Sequence, residues 1–256
     1  MIKIHSPIVL MYHGVIADNS QIPPEREPGA ELYDVELADF KEQMQFIKDH
    51  DYTVSHFDVS ASAEGKVVLT FDDGEFNNFQ NAYSILRPLN FSAYFFITVQ
   101  RVGKNGYMGW EELKELRDTG MIIGSHGLTH ALLTSLKEKQ IEKELLESKA
   151  LLERQLKINI EDFSVPRGFS NDDVIRLAKA AGYKRMFVSS RITKNSFCIG
   201  RIPVKSHWGI NRFVLALQGR VPFSEAVTDN VKGFLQKVLG GPGYDRLRRR
   251  ILRSKG

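Results

Sequence analysis

Cys198 is the single cysteine of this sequence, so no internal disulfide can form and nothing in the chain asks for an oxidising compartment. With no cysteine motif around it, Cys198 reads as a small packing residue rather than a nucleophile. Long hydrophobic runs are missing too: no stretch of about eighteen apolar residues occurs, which leaves no candidate for a spanning helix. The opening Met-Ile-Lys-Ile-His-Ser-Pro lacks the longer apolar segment and cleavage site of a signal peptide, and the expectation is a cytoplasmic protein. Acids disappear at the other end. From Arg246 onward there are six basic residues and no acidic one, so residues 1–245 carry 29 basic against 31 acidic side chains while the whole chain stands at +4. The basicity is the tail.

What is present is the composition of one enzyme-sized domain, with 42% hydrophobic and 26% charged residues over 256 positions, enough to bury a sizeable core. Short apolar runs alternate with helical periodicities, which argues α/β. Leu37, Phe40, Met44 and Ile47 recur at helical spacing before a strand at Tyr52 to Val54. Asn81 to Leu89 reads as a helix, Ala93 to Thr98 as a strand, and Trp110 to Thr119 as a helix that Gly120 stops. Residues 137–157 form the longest helix, with Ile141, Leu145, Leu152 and Leu156 on one side and a solvated face of Glu and Lys on the other. Ser170 caps a further helix that Gly182 closes, and Met186 to Val188 reads as a late strand. The Pro- and Glu-rich insert from Ala17 to Tyr33 is a loop near His13 that could wall a cleft. The expected division is a catalytic domain over residues 1–230 followed by a C-terminal helix and basic tail over 231–256.

Two stretches carry chemistry. Val67 to Gly74, Val-Val-Leu-Thr-Phe-Asp-Asp-Gly, drives a buried strand into two adjacent carboxylates. Side chains alternate along a strand, so Asp72 and Asp73 serve one site only if the backbone turns between them, a turn that Gly74 permits. One carboxylate can then ligate a cation while the other takes a proton from its water. The bland alternative is a polar strand end before a turn. About fifty residues on, Met121 to Ile123 read as another short strand, followed by His126 and His130, which four-residue spacing would place on one face of a helical turn. One Asp and two His make three protein ligands and leave positions open, the pattern of a catalytic rather than a structural site.

With these residues the chain resembles the polysaccharide deacetylases, the NodB-type domain or carbohydrate esterase family 4. The resemblance runs through Leu10 to Val15 (Leu-Met-Tyr-His-Gly-Val), Leu69 to Gly74, Phe95-Phe96-Ile97, Gly106 to Trp110, Ser125 to His130 and Pro166-Arg167-Gly168, in the right order over roughly residues 8–208. It implies an irregular (β/α) barrel of about seven strands with its site where the strands end. It also implies roles: Asp72 as general base, and Asp73, His126 and His130 as ligands of a divalent metal, zinc first, with cobalt or nickel as alternatives. Two departures stand out. Where relatives often carry Arg-Pro-Pro-Tyr-Gly this chain has Ser164-Val165-Pro166-Arg167-Gly168, so Ser164 replaces the arginine that would hold the base and another group must orient Asp72. The family's oxyanion donor is a backbone N–H, which survives at Arg167 and leaves that side chain free to meet an anionic substrate group. For the general acid there are two candidates: His13, which matches a branch of the family with an N-terminal Tyr-His, and His207. His13 is favoured, since it follows a predicted barrel strand. His5, His50 and His56 have no motif around them.

These readings converge on metal-assisted amide hydrolysis, an N-deacetylase acting on an N-acetylated sugar of a glycan or glycan precursor. The basic tail, preceded by Phe234, Leu235 and Leu239, suggests peripheral contact with an anionic membrane, at about 1 kcal/mol per basic residue close to the lipid, and hence a lipid-linked substrate at the inner membrane face. Nucleic acid is not expected, because no platform of aromatic and basic residues accompanies the tail. A soluble amidase or esterase on a small molecule, and a catalytically silent glycan-binding domain, are the alternatives.

Overall fold

The computed structural model describes residues 7–27, 29–58, 64–191, 193–220 and 243. The strands are β1 (Ile8–Tyr12), β2 (Val15–Ile16), β3 (Val35–Glu36), β4 (Thr53–Val54), β5 (Lys66–Phe71), β6 (Ala93–Ile97), β7 (Ile122–Ser125), β8 (Asp162–Ser164), β9 (Arg185–Val188), β10 (Cys198–Gly200) and β11 (Ile202–Pro203). The helices are α1 (Leu37–Asp49), α2 (Ser84–Leu86), which continues a π-helical segment Asn78–Tyr83, α3 (Trp110–Asp118), α4 (Glu138–Leu156), α5 (Asp172–Ala180) and α6 (Ile210–Leu217).

Apart from the short β2–β3 pair, the strands form one parallel sheet in the order β10-β9-β8-β7-β6-β5-β1-β11, with β4 added beside β5. The two ends of this order, β10 and β11, are separated in the chain by Arg201 alone. One interrupted strand therefore pairs first with β9 and then with β1, and the sheet curls into a nearly closed barrel. Counting that strand once gives the expected seven around the barrel.

Period-two alternation sorts the side chains into two cores. Val9, Val68, Tyr94, Phe96, Phe187 and Ile199 pack with one another inside the barrel. Leu10, Tyr12, Leu69, Phe71, Phe95 and Phe163 face outward and join Phe40, Leu113, Leu145, Val174 and Phe213 from the surrounding helices. The inward series Val68, Thr70, Asp72 thus climbs from an apolar floor to a polar mouth. Ile199 and Arg201, two apart on the closing strand, do the same from the other side. Gly124 on β7 makes room for the floor, since a β-carbon there would lie 2.5 Å from the Phe96 ring.

Several local expectations change. Asn171 rather than Ser170 caps α5, accepting a hydrogen bond from Val174 N, because only Asn171 has the extended backbone next to the first helical residue. The charged side of α4 is not wholly solvated: Glu144 and Ser148 are buried, and Ser148 Oγ accepts from Ser125 Oγ of β7 at 2.8 Å. Cys198 is buried in β10, as packing requires. The expected helix at 231 onward and the basic tail, like His5, lie outside the described residues.

Candidate metal and acyl-transfer site

Asp72 still belongs to β5's ladder, its N–H donating to Tyr12 O at 3.0 Å, so its carboxylate points into the barrel mouth. The turn follows at once. Asp73 itself takes the left-handed conformation (φ 74), as does Gly74 (φ 79), and this reversal lets two successive carboxylates serve one site. The turn is therefore not the work of Gly74 alone. Aspartate is among the few side chains that tolerate this region, because its short polar side chain can bond locally. Asp73, His130 and Arg167 are three of the six non-glycine residues with positive φ among the described residues, so left-handed backbone is concentrated where the chemistry is.

His126 and His130 do not share a helical turn. They stand on a loop after β7, with Gly127 at φ 80 and His130 at φ 66, and the loop is held from outside. His126 N donates to Ile97 O at 2.8 Å. The buried Glu144 of α4 accepts from Leu128 N and Thr129 N, both at 2.9 Å, and from Thr129 Oγ1 at 2.6 Å. Hydrogen bonds to a charged acceptor contribute about 1.5–3 kcal/mol each, enough to hold a strained loop and to explain why α4 buries an acid.

The ring nitrogens are sorted by their partners. His126 Nδ1 lies 2.8 Å from Ser164 O, and a carbonyl only accepts, so Nδ1 carries the hydrogen and Nε2 keeps its lone pair. His130 Nδ1 donates to Glu27 Oε1 at 2.6 Å, with the same result. The two Nε2 atoms face Asp73 Oδ1 at 3.8 Å and 3.3 Å. Burial pushes the His126 imidazole down to about 4, against the pull of Asp72, so at neutral pH it is the uncharged ligand form. Asp73, His126 and His130 thus offer one oxygen and two nitrogens within 4.8 Å of one another. This borderline donor set, with both second nitrogens fixed by hydrogen bonds, fits a divalent cation such as zinc.

Sequence reasoning missed the group that orients Asp72. It is Arg201, fully buried at the barrel seam. Its Nη1 donates to Asp72 Oδ1 at 2.7 Å and its Nη2 to Oδ2 at 2.8 Å, a bidentate pair. Ser164 Oγ, which accepts from Arg201 Nη2 at 2.8 Å, also donates to Asp72 Oδ2 at 3.2 Å, so the serine in place of the expected arginine completes the clamp. Burial alone would raise the Asp72 carboxyl, but the Arg201 charge, then His126 and the Arg201 hydrogen bonds, outweigh it and hold it well below the usual carboxylate range. Asp72 stays ionised at neutral pH.

His13 follows β1 and packs against Tyr33, ring centroids 5.0 Å apart. Burial lowers its pKa while Asp73 and then Asp72 pull it up, which places it within the field of both acids. Its buried Nδ1 has no hydrogen-bond partner among the described residues. His207, in contrast, is exposed before α6. Arg167 sits in the loop after β8 at φ 60, ψ 3. Its half-buried side chain is engaged within the protein rather than free, because a guanidinium withdrawn from water needs partners. His50 bonds Phe46 O and stacks on the Phe46 ring, and His56 meets the Tyr94 ring edge-on.

The chain is similar to proteins already known. The sequence model of the polysaccharide deacetylase family matches residues 60–186. A peptidoglycan-N-acetylglucosamine deacetylase of Bacillus cereus is 32% identical over 48% of this chain and 56% of its own length. A poly-β-1,6-N-acetyl-D-glucosamine N-deacetylase of Staphylococcus aureus is 30% identical over 64% of each chain. The chain therefore spans about three-fifths of the length of the curated relatives it matches. A Streptococcus pyogenes deacetylase solved in complex with acetate has the same fold, with a TM-score of 0.73 at 23% identity over 85% of this chain and 99% of that one.

Removing one member of a buried pair strands the other charge, at a cost of about 3–5 kcal/mol. Arg201→Met is expected to lose that much stability in denaturant titrations, and Arg201→Met with Asp72→Asn to recover part of it. An unchanged midpoint for Arg201→Met would contradict the clamp.

Proposed function

Because the chain belongs to the polysaccharide deacetylase family, we propose that it removes acetyl groups from an N-acetylated sugar of a glycan or glycan precursor by metal-assisted amide hydrolysis. The observation that carries this reading is the convergence of Asp73, His126 and His130 on one point, with the clamped Asp72 carboxylate beside them, 4.0 Å from His126 Nε2. A divalent cation held by those three residues would supply Lewis acidity toward the acyl oxygen and make water a stronger nucleophile at neutral pH.

The chain's own groups divide the rest. Asp72 takes the proton of the attacking water. Its ionised state, held by Arg201, makes it available. The Arg167 N–H, on the loop after β8, is assigned to the developing oxyanion, where a positioned backbone donor acts without reorganising. The amine is a poor leaving group and needs a proton. His13 is assigned that transfer: it enters the step protonated, the form that Asp73 and Asp72 favour, burial makes it give the proton up readily, and the proton that Asp72 took from the water restores it.

A sugar substrate also suits the surroundings. Three residues along the chain from Asp73, an open cleft of about 430 Å³ is walled by Asp18, Gln21, Gln80 and Asn105, with the rings of Phe76 and Tyr107 alongside. Its volume falls in the range of small-molecule sites. Carboxylate and amide groups match hydroxyls, and the aromatic rings offer an apolar face. The relatives named for N-acetylglucosamine polymers point the same way.

Acetate release from an N-acetylglucosamine oligomer is expected to stop on chelation and return with zinc, cobalt or nickel, and Asp72→Asn is expected to lower kcat by about 10²–10⁴. Chelator-insensitive release would refute the reading. A cytoplasmic address and membrane contact through the basic tail belong to the same proposal, motivated by six basic residues and no acidic one from Arg246 on. Deleting residues 244–256 should abolish cosedimentation with anionic vesicles; retained binding would refute this part.

A further inference from the structure

We propose that Glu27 is a positioning residue of the metal centre: a strap of chain before α1 sets the orientation of His130 and, through Arg101, of Asp73, and so sets the affinity for the cation. The inference rests on the metal-site reading above and adds to it a residue that no motif marks.

The geometry is a ring of four side chains. Glu27 Oε1 accepts from His130 Nδ1 at 2.6 Å and from Arg101 Nη2 at 2.7 Å. Arg101 Nη1 donates to Asp73 Oδ1 at 2.8 Å, and His130 Nε2 faces that same oxygen at 3.3 Å. Glu27 and His130 are 103 residues apart in the chain, so the contact is made only when the strap lies across the site. A carboxylate on the outer nitrogen of a ligand histidine fixes its tautomer, aims its ring and raises its basicity. Arg101 does the complementary work: it balances the acids and holds the Asp73 carboxylate, which its left-handed backbone alone leaves free to swing.

The strap itself is pinned, as such a device requires. Arg26 grips Asp34 with both terminal nitrogens, at 2.8 Å and 2.7 Å, and reaches Glu75 with Nε at 3.0 Å. Tyr107 Oη donates to Glu25 O at 2.9 Å. Gly106 lets Pro23 sit directly on the backbone, since a β-carbon there would be 2.7 Å from Pro23 Cα. Glu27 retains 27% side-chain exposure, so it stands at the rim where solvent and substrate enter rather than in the core.

The test is cobalt and zinc affinity of the full chain, read by competition with a chromophoric chelator and by the visible spectrum of the cobalt form, alongside thermal unfolding of the metal-free protein. Glu27→Ala is expected to weaken both metals 10–100-fold and to change the cobalt spectrum. Glu27→Gln, which keeps an acceptor without the charge, should fall between Glu27→Ala and the parent, and Leu32→Ala, an exposed change close by, should stay within twofold. Cobalt held by Glu27→Ala within twofold of the parent would overturn this proposal alone, leaving the metal site intact. A parent chain that takes up no cobalt would overturn the metal-site reading and this inference with it.

Discussion

Two charges withdrawn from water, Asp72 and Arg201, meet where the barrel shuts. Arg201 is the one residue between β10 and β11, so it stands at the point where the closing strand leaves β9 and joins β1. Each charge alone would cost several kcal/mol to bury. Together, with Ser164 Oγ and Thr70 Oγ1 also bonded to the guanidinium, they offset that cost, and Arg201 Nε alone has no hydrogen-bond partner among the described residues. Closing the barrel and aiming the Asp72 carboxylate are thus one interaction, and neither can be changed without the other.

The remaining charges extend the same logic outward. Arg201 answers Asp72, Arg101 answers Asp73 and Glu27, and Arg26 answers Asp34 and Glu75. Three arginines thus offset part of the charge of five carboxylates that would otherwise repel one another. Glu75 shows how close the balance is: burial pushes it up to about 7 against the pull of Arg26. What the ion pairs leave over is the set of Nε2 atoms of His126 and His130 facing one oxygen of Asp73, a donor set with the character of a catalytic metal site.

The fold class and the cluster of Asp73, His126 and His130 were legible in the sequence because both rest on local patterns. The apolar run Val67 to Phe71 marks a buried strand, and the paired Asp and His residues mark a site. The clamp was not legible. Arg201 lies in Cys-Ile-Gly-Arg-Ile-Pro, where glycine and proline break the strand signal, and its partner is 129 residues away. Only the register of a closed barrel brings them together. Glu27 is hidden for the same reason, and Glu144 looks like one more acid on a charged helix. The histidine spacing was informative for a reason other than the helical one: a left-handed loop, not a helical turn, brings the two rings together.

A crystal of the zinc-loaded protein, with anomalous differences measured on either side of the zinc edge, would locate the ion directly. One peak per chain is expected, at about 2.0–2.2 Å from Asp73 and from the Nε2 atoms of His126 and His130, with Asp72 still held by Arg201 and free of the ion. Zinc bound elsewhere with that triad empty, or Asp72 released from Arg201 to serve as the ligand in place of Asp73, would contradict the assignment.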